Sequence, residues 1–307
     1  MRRSVGVIIF VIGIILVALG ITKVAVGAVQ PGAFGALLGA VIFGLSFIKR
    51  PEPPADAPPP MEPAQRVTRV FYEPAPVFEN LRFHPRWLAA YLVIAVCAAI
   101  YHVAFVQRLT PEVIALAPIE KTIESGWIPP DRADAVRDQA REAARSPLLR
   151  VTGPLTDVGG IFLFELFLAA ILLVLALVFG GRLNYWQALC VAIYSSLPVV
   201  VIDKLLSIVL LYLKSPDDIS PLKGQASLVQ ADLGILFSPT EHSFLYVAGG
   251  FLGLLSIYRL WLEATGLRHC GEKLSSASAW TIALIVWGIG LVLSLIFFAA
   301  LFPSFIT

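Results

Sequence analysis

The sequence predicts an all-α membrane protein, a polytopic bundle of seven transmembrane helices in which an N-terminal two-helix hairpin precedes a five-helix domain. Three observations support this fold class. The chain is 58% hydrophobic and only 14% charged, whereas a soluble domain carries about 25% charged residues. Its longest apolar runs approach or exceed the ~20 residues that a helix needs to cross a bilayer. Short polar or proline-rich segments separate these runs.

Composition also argues against several classes of function. The net charge of +2 is small and the basic residues are dispersed, so the sequence does not predict a nucleic-acid partner. The three cysteines, Cys97, Cys190 and Cys270, lie in or beside apolar runs without the spacing of a metal site. We expect them to be apolar packing residues, and we predict no metal site and no cofactor.

Residues 1–48 are predicted to form a transmembrane hairpin, with spans at Ser4–Thr22 and within Val24–Ile48. The first run is longer than the ~7–15 residues of a signal-peptide core, and a second apolar run follows at once. We therefore expect a retained membrane anchor. Cleavage near the small residues 25–28 is the alternative.

Residues 49–66 form a linker that is too rich in proline for regular structure and too polar for lipid. We expect an extended, semi-rigid tether on the cytoplasmic side, with a proline-rich ligand for a partner domain as the alternative. Residues 67–86 then mix apolar and charged positions, as in an amphipathic segment that lies along the membrane surface. Four aromatic side chains are expected to anchor the chain at headgroup level: Phe71, Phe78, Trp87 and Trp186.

Five further spans are predicted within a domain of residues 67–307: Trp87–Gln107, Val158–Gly181, Leu183–Leu213, Ser243–Leu262 and a last span within Leu274–Phe302. An outer polar insertion, residues 108–156, separates the third and fourth spans. Its centre begins with Pro129-Pro130-Asp131, a typical helix start. Acidic residues three positions before arginines follow, and this pattern predicts a solvated helix.

Two pairs of glycines stand four residues apart in predicted spans: Gly35 with Gly39, and Gly249 with Gly253. On a helix, residues with this spacing share a face, where they allow another backbone to approach closely. We therefore expect these four glycines to mark helix-packing surfaces.

The fifth span is the element around which we expect the rest to be organised, because it contains Pro198 within an uncharged run. Proline removes one backbone donor and clashes with the carbonyl four residues earlier, here that of Tyr194. Lipid offers that carbonyl no water, so we expect neighbouring helices or the hydroxyls of Ser195 and Ser196 to satisfy it. A kinked helix of this kind is predicted to lie in the middle of the bundle.

Three ionisable residues fall within or near the ends of predicted spans: Glu165, Asp203 and Lys204. Each costs at least ~2.5–3.5 kcal/mol at mid-membrane, so each is a candidate functional residue. Glu165 is expected in the outer half of the fourth span, and Asp203 and Lys204 near the outer end of the fifth. We expect Lys204 to pair with Glu165 or Asp203 as a structural ion pair, with a proton or ion relay as the alternative.

Basic residues predict the orientation. With seven spans and a cytoplasmic N-terminus, most lysines and arginines outside the 108–156 insertion fall on the inner side, and the short outer loops carry only Lys23, Lys214 and Lys223. We therefore predict a protein of the bacterial cytoplasmic membrane with its N-terminus inside and its C-terminus outside.

Three stretches of the chain are similar to one family. They are FYEPAPVFENLRFHPRWL at 71–88, AIYSSLP at 192–198 and ATGLRHCGEKLSSASAW at 264–280. They resemble the aromatic and proline-rich segment before the first span, the tyrosine-to-proline motif and the polar connector before the last span of the Yip (Ypt/Rab-interacting protein) family. The resemblance covers about residues 67–302.

This resemblance implies a cytoplasmic segment, five membrane helices and an outward C-terminus. Eukaryotic members are tied to Rab GTPases and to vesicle traffic between endoplasmic reticulum and Golgi. The present chain has a membrane hairpin where those members have a long polar N-terminal region, so it looks more like the prokaryotic members.

Glycine-rich phosphate loops, paired metal-ligand spacings and a nucleophile elbow are all missing from the sequence, and we predict no enzymatic activity and no catalytic residues. The favoured function is a membrane scaffold or adaptor that binds proteins at its cytoplasmic face, in contact with the lipid bilayer and compatible with a homo-oligomer. The alternative is a small-solute or lipid permease built on the proline-kinked fifth span. A water-filled cavity reaching Pro198 and Glu165 would favour the permease, and a dry core the scaffold.

Overall fold

The computed structural model describes residues 2–22, 24–25, 27–49, 51–239 and 241–301. Within them the chain forms thirteen α-helices and no β-strand, which confirms the all-α class. In chain order the helices are α1 (Arg2–Ile21), α2 (Val29–Leu45), α3 (Pro63–Arg69), α4 (Pro74–Phe83), α5 (Leu88–Leu109), α6 (Pro111–Glu124), α7 (Pro130–Arg145), α8 (Pro147–Val178), α9 (Tyr185–Leu213), α10 (Lys223–Ala226), α11 (Ser243–Gly250), α12 (Leu254–Cys270) and α13 (Ser276–Ser294). A π-helical turn, Leu295–Leu301, follows α13.

Five of these helices are long and apolar enough to cross a membrane: α1, α5, α8, α9 and α13. Their positions match the predicted first, third, fourth, fifth and seventh spans. The predicted second span corresponds to α2, a shorter apolar helix of 17 residues. The predicted sixth span is divided between α11 and α12. The structure therefore supports a polytopic membrane protein but does not confirm a count of seven.

The described chain divides into two compact units. The first unit comprises Met1–Lys49, Ala98–Leu163 and Leu210–Ala226, and the second comprises Arg50–Cys97, Phe164–Val209 and Ser227–Thr307. The first contains the α1–α2 hairpin and the polar insertion. The second contains the segment after the linker and most of the polar side chains that are buried.

Glycine determines the packing of the α1–α2 hairpin. A Cβ atom added to Gly39 would lie 2.3 Å from the Phe10 backbone nitrogen, and one added to Gly13 would lie 2.2 Å from that of Ala36. Gly35, in contrast, has only an ordinary contact, at 3.6 Å. Gly39, which was predicted from the sequence, therefore makes a close approach to α1, while Gly35 does not.

The polar insertion forms a helical hairpin of α6 and α7. Helix α7 begins where the Pro129-Pro130-Asp131 pattern predicted a start. Arg137 donates through Nε and Nη2 to the two carboxylate oxygens of Glu120 on α6, both at 2.8 Å. It also contacts Asp134, one of the predicted pairs three residues apart, at 3.0 Å. Helix α6 itself was not predicted.

In the second unit, α3 and α4 contain most of residues 67–86, and α4 packs against α12. Phe78 is completely buried, and a Cβ on Gly266 would lie 2.9 Å from its ring. Trp186 is only 3% exposed. The prediction of interfacial anchors is therefore wrong for these two residues, whose rings pack in the core. Phe71 and Trp87 are half-buried.

A break between α11 and α12 interrupts the predicted sixth span. At the break, the backbone of Gly253 is extended and pairs with Asp232, and the Leu254 nitrogen donates to the Ala231 carbonyl at 3.2 Å. Gly253 is therefore not on a helix face as predicted. Gly249 does pack closely, because an added Cβ would lie 2.5 Å from the Gly234 nitrogen. The loop before α11 thus supplies the contacts that divide this span.

Candidate functional site

The first half of α9 forms the centre of the second unit. Every side chain from Ala188 to Leu197 is completely buried, and Pro198 is buried as well. The helix continues through Pro198 from Tyr185 to Leu213. A helix that is apolar all round is expected to be surrounded by protein, and this part of α9 is.

The hydroxyls of Ser195 and Ser196 do not bind the Tyr194 carbonyl, which was one of the two predicted arrangements. Ser196 Oγ donates to Glu165 Oε1 of α8 at 2.6 Å and lies 3.1 Å from the Ala192 carbonyl, one turn earlier. Ser195 Oγ is buried and has no hydrogen-bond partner among the described residues. The Tyr194 hydroxyl donates to the Arg86 carbonyl at 3.3 Å. The main polar link of this turn therefore connects α9 to a carboxylate on α8.

Glu165 lies deeper than the sequence analysis placed it. Helix α8 begins earlier than predicted, and Glu165 is thirteen residues from each end of its apolar part, Thr152–Val178. At 1.5 Å per residue this is about 20 Å from either end. The residue is 2% exposed. A carboxylate in the middle of a membrane-length helix requires polar partners from neighbouring helices.

Those partners come from α12. Arg259 Nη2 lies 3.5 Å from Glu165 Oε1, and Arg259 Nε donates to Glu263 Oε1 at 3.0 Å. The guanidinium of Arg259 also stacks 5.7 Å from the centre of the Phe164 ring. We call Glu165, Ser196, Arg259 and Glu263 the buried polar cluster; the two glutamates and the serine are buried, and Arg259 is half-buried.

Neither Arg259 nor Glu263 was among the candidate residues predicted from the sequence. Their spacing of four residues on α12 was the available signal, because Arg and Glu at this spacing meet on one helix face. Nothing local in the sequence connected them to Glu165.

Lys204 pairs with Asp203, which is one of its two predicted partners. Its Nζ lies 3.1 Å from Asp203 Oδ2. Asp203 Oδ1 also accepts a hydrogen bond from Ser227 Oγ at 2.5 Å, and Ser207 Oγ accepts one from the Leu228 nitrogen at 3.1 Å. These contacts hold the loop that follows α10. Lys204 is eight residues beyond Ser196, about 12 Å along α9, so this pair is separate from the buried polar cluster.

A small cavity adjoins the cluster. It has a volume of about 190 Å³, and Arg259 and Glu263 contribute to its wall together with Ser256, Phe251, Trp287 and Gly290. Neither Glu165 nor Pro198 lines it. The cavity therefore borders the α12 members of the cluster, and Phe164 and Leu168 of α8 also line it.

A more polar groove lies beside α4 and the end of α12, and we call it the α4–α12 groove. Its volume is about 420 Å³, and it is lined by Pro58, Met61, Pro76, Glu79, Asn80, Arg82, Phe83, Arg268 and His269. His269 Nδ1 and Glu79 Oε1 are joined at 2.9 Å, and Arg82 Nη2 contacts Glu272 at 3.0 Å. Side chains of both charge signs thus surround the groove.

The end of the linker forms one side of this groove. Asn80 accepts a hydrogen bond from the Met61 nitrogen and donates one to the Pro59 carbonyl, both at 3.0 Å. His84 Nε2 lies 2.8 Å from the Pro58 carbonyl. The buried Arg66 donates to the Met61 carbonyl. The linker was predicted to be an extended tether throughout, but its last part is fixed onto α4.

The first unit contains a larger apolar cavity of about 560 Å³ between α5, α6, α7 and α8. His102 lines it, and His102 Nδ1 is hydrogen-bonded to Asp157 Oδ2 at 2.5 Å. Among the residues that the structure describes, no three His, Cys, Asp or Glu side chains are grouped as metal ligands.

Comparison with known proteins gives one match. A family model described as the Yip1 domain matches residues 68–298, about three quarters of the chain. The matched range includes α4, α12 and the whole buried polar cluster. No curated protein sequence and no solved structure matches the chain.

Proposed function

Because this chain belongs to the Yip1 family of membrane proteins, we propose that it is a membrane scaffold or adaptor that binds a protein partner in the α4–α12 groove. The groove is the observation that carries the proposal. It is a concave surface on folded elements, and the mixture of Arg82, Arg268 and His269 with Glu79 suits a polypeptide with charges of both signs.

The fixed end of the linker adds to this argument. Hydrogen bonds from Asn80 and His84 hold the backbone of residues 58–61 on α4, and residues 52–56 before it are exposed. A proline-rich segment held at one end loses little conformational freedom when a partner binds. The groove and the exposed prolines therefore form one continuous surface for a partner.

The enclosed core of the second unit favours a scaffold over a permease. Glu165 is 2% exposed and Pro198 is buried, and none of the three cavities described above is lined by either residue. A permease needs a hydrated route to its substrate site near the middle of the bilayer.

For location, we infer the bacterial cytoplasmic membrane with the N-terminus inside, since basic residues predominate on the short loops of that side. The α4–α12 groove then faces the cytoplasm. Labelling of single cysteines from each side of intact cells tests this orientation. Exposure of a cysteine at position 268 to the outside would contradict it.

Site-specific photo-crosslinking in native membranes tests the scaffold. A photo-reactive amino acid at Pro76 in the groove should give a discrete adduct with one protein, while the same group at Arg132 on α7 should not. The Arg268→Glu variant should reduce the Pro76 adduct about tenfold, whereas the matched Arg132→Glu variant should leave it unchanged. An adduct that is insensitive to Arg268→Glu, or adducts with lipid alone, would overturn the proposed role of the groove.

The permease remains a second candidate because of the break between α11 and α12, since interrupted helices are typical of transporter substrate sites. Purified protein in liposomes should then show uptake of a solute, and the uptake should be lost in a variant that closes the break. Under the scaffold proposal, a panel of ions, amino acids and fluorescent lipids shows no flux above that of protein-free liposomes.

A further inference from the structure

The charges in the buried polar cluster do not balance. Glu165 and Glu263 both contact the same guanidinium, that of Arg259, and the described residues provide no second basic partner for either carboxylate. Both glutamates are nearly inaccessible, at 2% and 4% exposure. If both were ionised, the cluster would carry one net negative charge away from water.

An unbalanced charge of this kind is unfavourable. Removing an ionised carboxylate from water costs several kcal/mol unless a counter-charge and hydrogen bonds replace the water. When two carboxylates share one site, the repulsion between them favours the state in which one of them holds a proton. Their protons then belong to the pair rather than to either residue alone.

The hydrogen bonds of Glu165 agree with this reasoning. Its Oε1 contacts both Ser196 and Arg259, but its Oε2 is buried without a hydrogen-bond partner among the described residues. An ionised carboxylate has about four acceptor positions, and contacts to one oxygen alone leave those of the other oxygen unsatisfied. A carboxylic acid that is protonated on Oε2 leaves fewer acceptor positions unsatisfied.

The polar groups that interact with Glu165 come from three helices. Ser196 comes from α9, Arg259 and Glu263 from α12, and the phenol of Tyr91 from α5 is close enough to interact electrostatically. Arg259 is the one positive charge among these groups. No described neighbour therefore supplies the second positive charge that two ionised glutamates would require.

We propose that the buried polar cluster is a proton-binding site in which Glu165 and Glu263 share a single proton at neutral pH. The proton exchanges with solvent through the 190 Å³ cavity, whose wall includes Glu263 and Arg259. Glu165 is the enclosed member of the pair and Glu263 is the member through which the proton enters and leaves.

Infrared spectroscopy of the purified full chain in lipid nanodiscs tests the site. The wild-type protein at neutral pH should show one carboxylic-acid carbonyl band, assigned to glutamate by isotope labelling. Glu165→Gln and Glu263→Gln should each remove it, because either change leaves one carboxylate for one guanidinium. Asp203→Asn, which alters a half-buried carboxylate already paired with Lys204, should retain it.

A fourth variant tests the same charge balance by removing the positive charge instead of a carboxylate. Arg259→Gln removes the shared counter-charge, and the band should then double, because both carboxylates become protonated. The absence of the band in the wild-type protein at neutral pH would overturn the proposal, whether or not the variants fold. A wild-type band that survives in both Glu165→Gln and Glu263→Gln would overturn it as well.

Discussion

In the α1–α2 hairpin the two helices approach until a glycine backbone meets another backbone, whereas α8, α9 and α12 of the second unit are joined by polar side chains buried between them. No charged side chain takes part in the Gly13 and Gly39 contacts. In the buried polar cluster, one arginine, two glutamates and a serine connect three helices. The two regions therefore represent two different ways of holding apolar helices together.

The difference is instructive because lipid is as apolar as the helices themselves. In such a solvent, burial of apolar surface contributes little to association between helices, so close backbone contact or polar contact must supply the specificity. Steric packing fixes distance and register and is insensitive to pH and salt. A buried polar contact also fixes register, but it depends on the charge of every member.

The largest effect that we expect comes from removing the shared cation in the second unit. Arg259→Met leaves two buried carboxylates without a counter-charge, and breaking a buried pair in this way costs about 3–5 kcal/mol. The free energy of unfolding in mixed micelles should fall by that amount. The double variant Arg259→Met/Glu263→Gln should recover part of the loss, because it leaves one buried carboxyl group without a counter-charge instead of two.

The matched control for this prediction is Arg182→Met, which removes an exposed arginine and should change the free energy of unfolding by less than about 0.5 kcal/mol. Equal effects of Arg259→Met and Arg182→Met would show that the cluster contributes no special stability. The two regions would then not differ as we argue.

A smaller effect is expected in the hairpin. A methyl group at position 39 would lie 2.3 Å from the Phe10 nitrogen and 2.8 Å from the Gly6 carbonyl, and neither backbone atom can move without separating the helices. Gly39→Ala should destabilise the hairpin by about 1–3 kcal/mol. Disulfide cross-linking between cysteines placed on α1 and α2 measures this separation.

Two alanine substitutions on the same helix are controls. Gly44 has no atom within 4 Å of an added Cβ, and Gly35 has only a contact at 3.6 Å, so neither Gly44→Ala nor Gly35→Ala should reduce cross-linking. Loss of cross-linking in Gly35→Ala would mean that the packing face is the one predicted from the four-residue spacing rather than the one in the structure.

The contrast between Gly35 and Gly39 also shows how far the sequence could predict this structure. A spacing of four residues identifies a face of α2. How closely each glycine on that face approaches α1 depends on which residue of α1 lies opposite. Gly6, Gly13 and Gly20 recur every seven residues on α1, and they meet α2 at Phe43, Ala36 and Val29. This repeat was visible in the sequence, and reading both helices together would have located the close approaches.

The long apolar helices were predictable because a span of about 20 uncharged residues has few other structures available to it. The partner of Glu165 was not, because Arg259 is 94 residues away and several arginines were equally compatible with the sequence. The break before α12 was also not predictable from local pattern. Its cause is the approach of Asp232 and Gly234, which come from the preceding loop.

The smallest effect that we expect comes from an ion pair exposed to water, between α6 and α7. The hydrogen bonds from Arg137 lower the pKa of Glu120 from its ordinary value of 4.5, so the pair stabilises the hairpin above that pH and loses its effect as the pH falls through the lowered pKa. Glu120→Gln should increase amide hydrogen exchange in α6 a few-fold at neutral pH and low salt. High salt should reduce the difference, because exposed pairs are screened.

Glu124→Gln is the matched control, since Glu124 pairs only with Lys121 on its own helix, at 3.1 Å, and does not connect α6 to α7. After correction for the intrinsic pH dependence of amide exchange, acidification should lower the protection of wild-type α6 to that of Glu120→Gln and should change the protection of the variant much less. If Glu124→Gln had the larger effect, helix α6 would be stabilised within itself rather than by its contact with α7. The comparison between close backbone packing and charged contacts would then not extend to the exposed pair between α6 and α7.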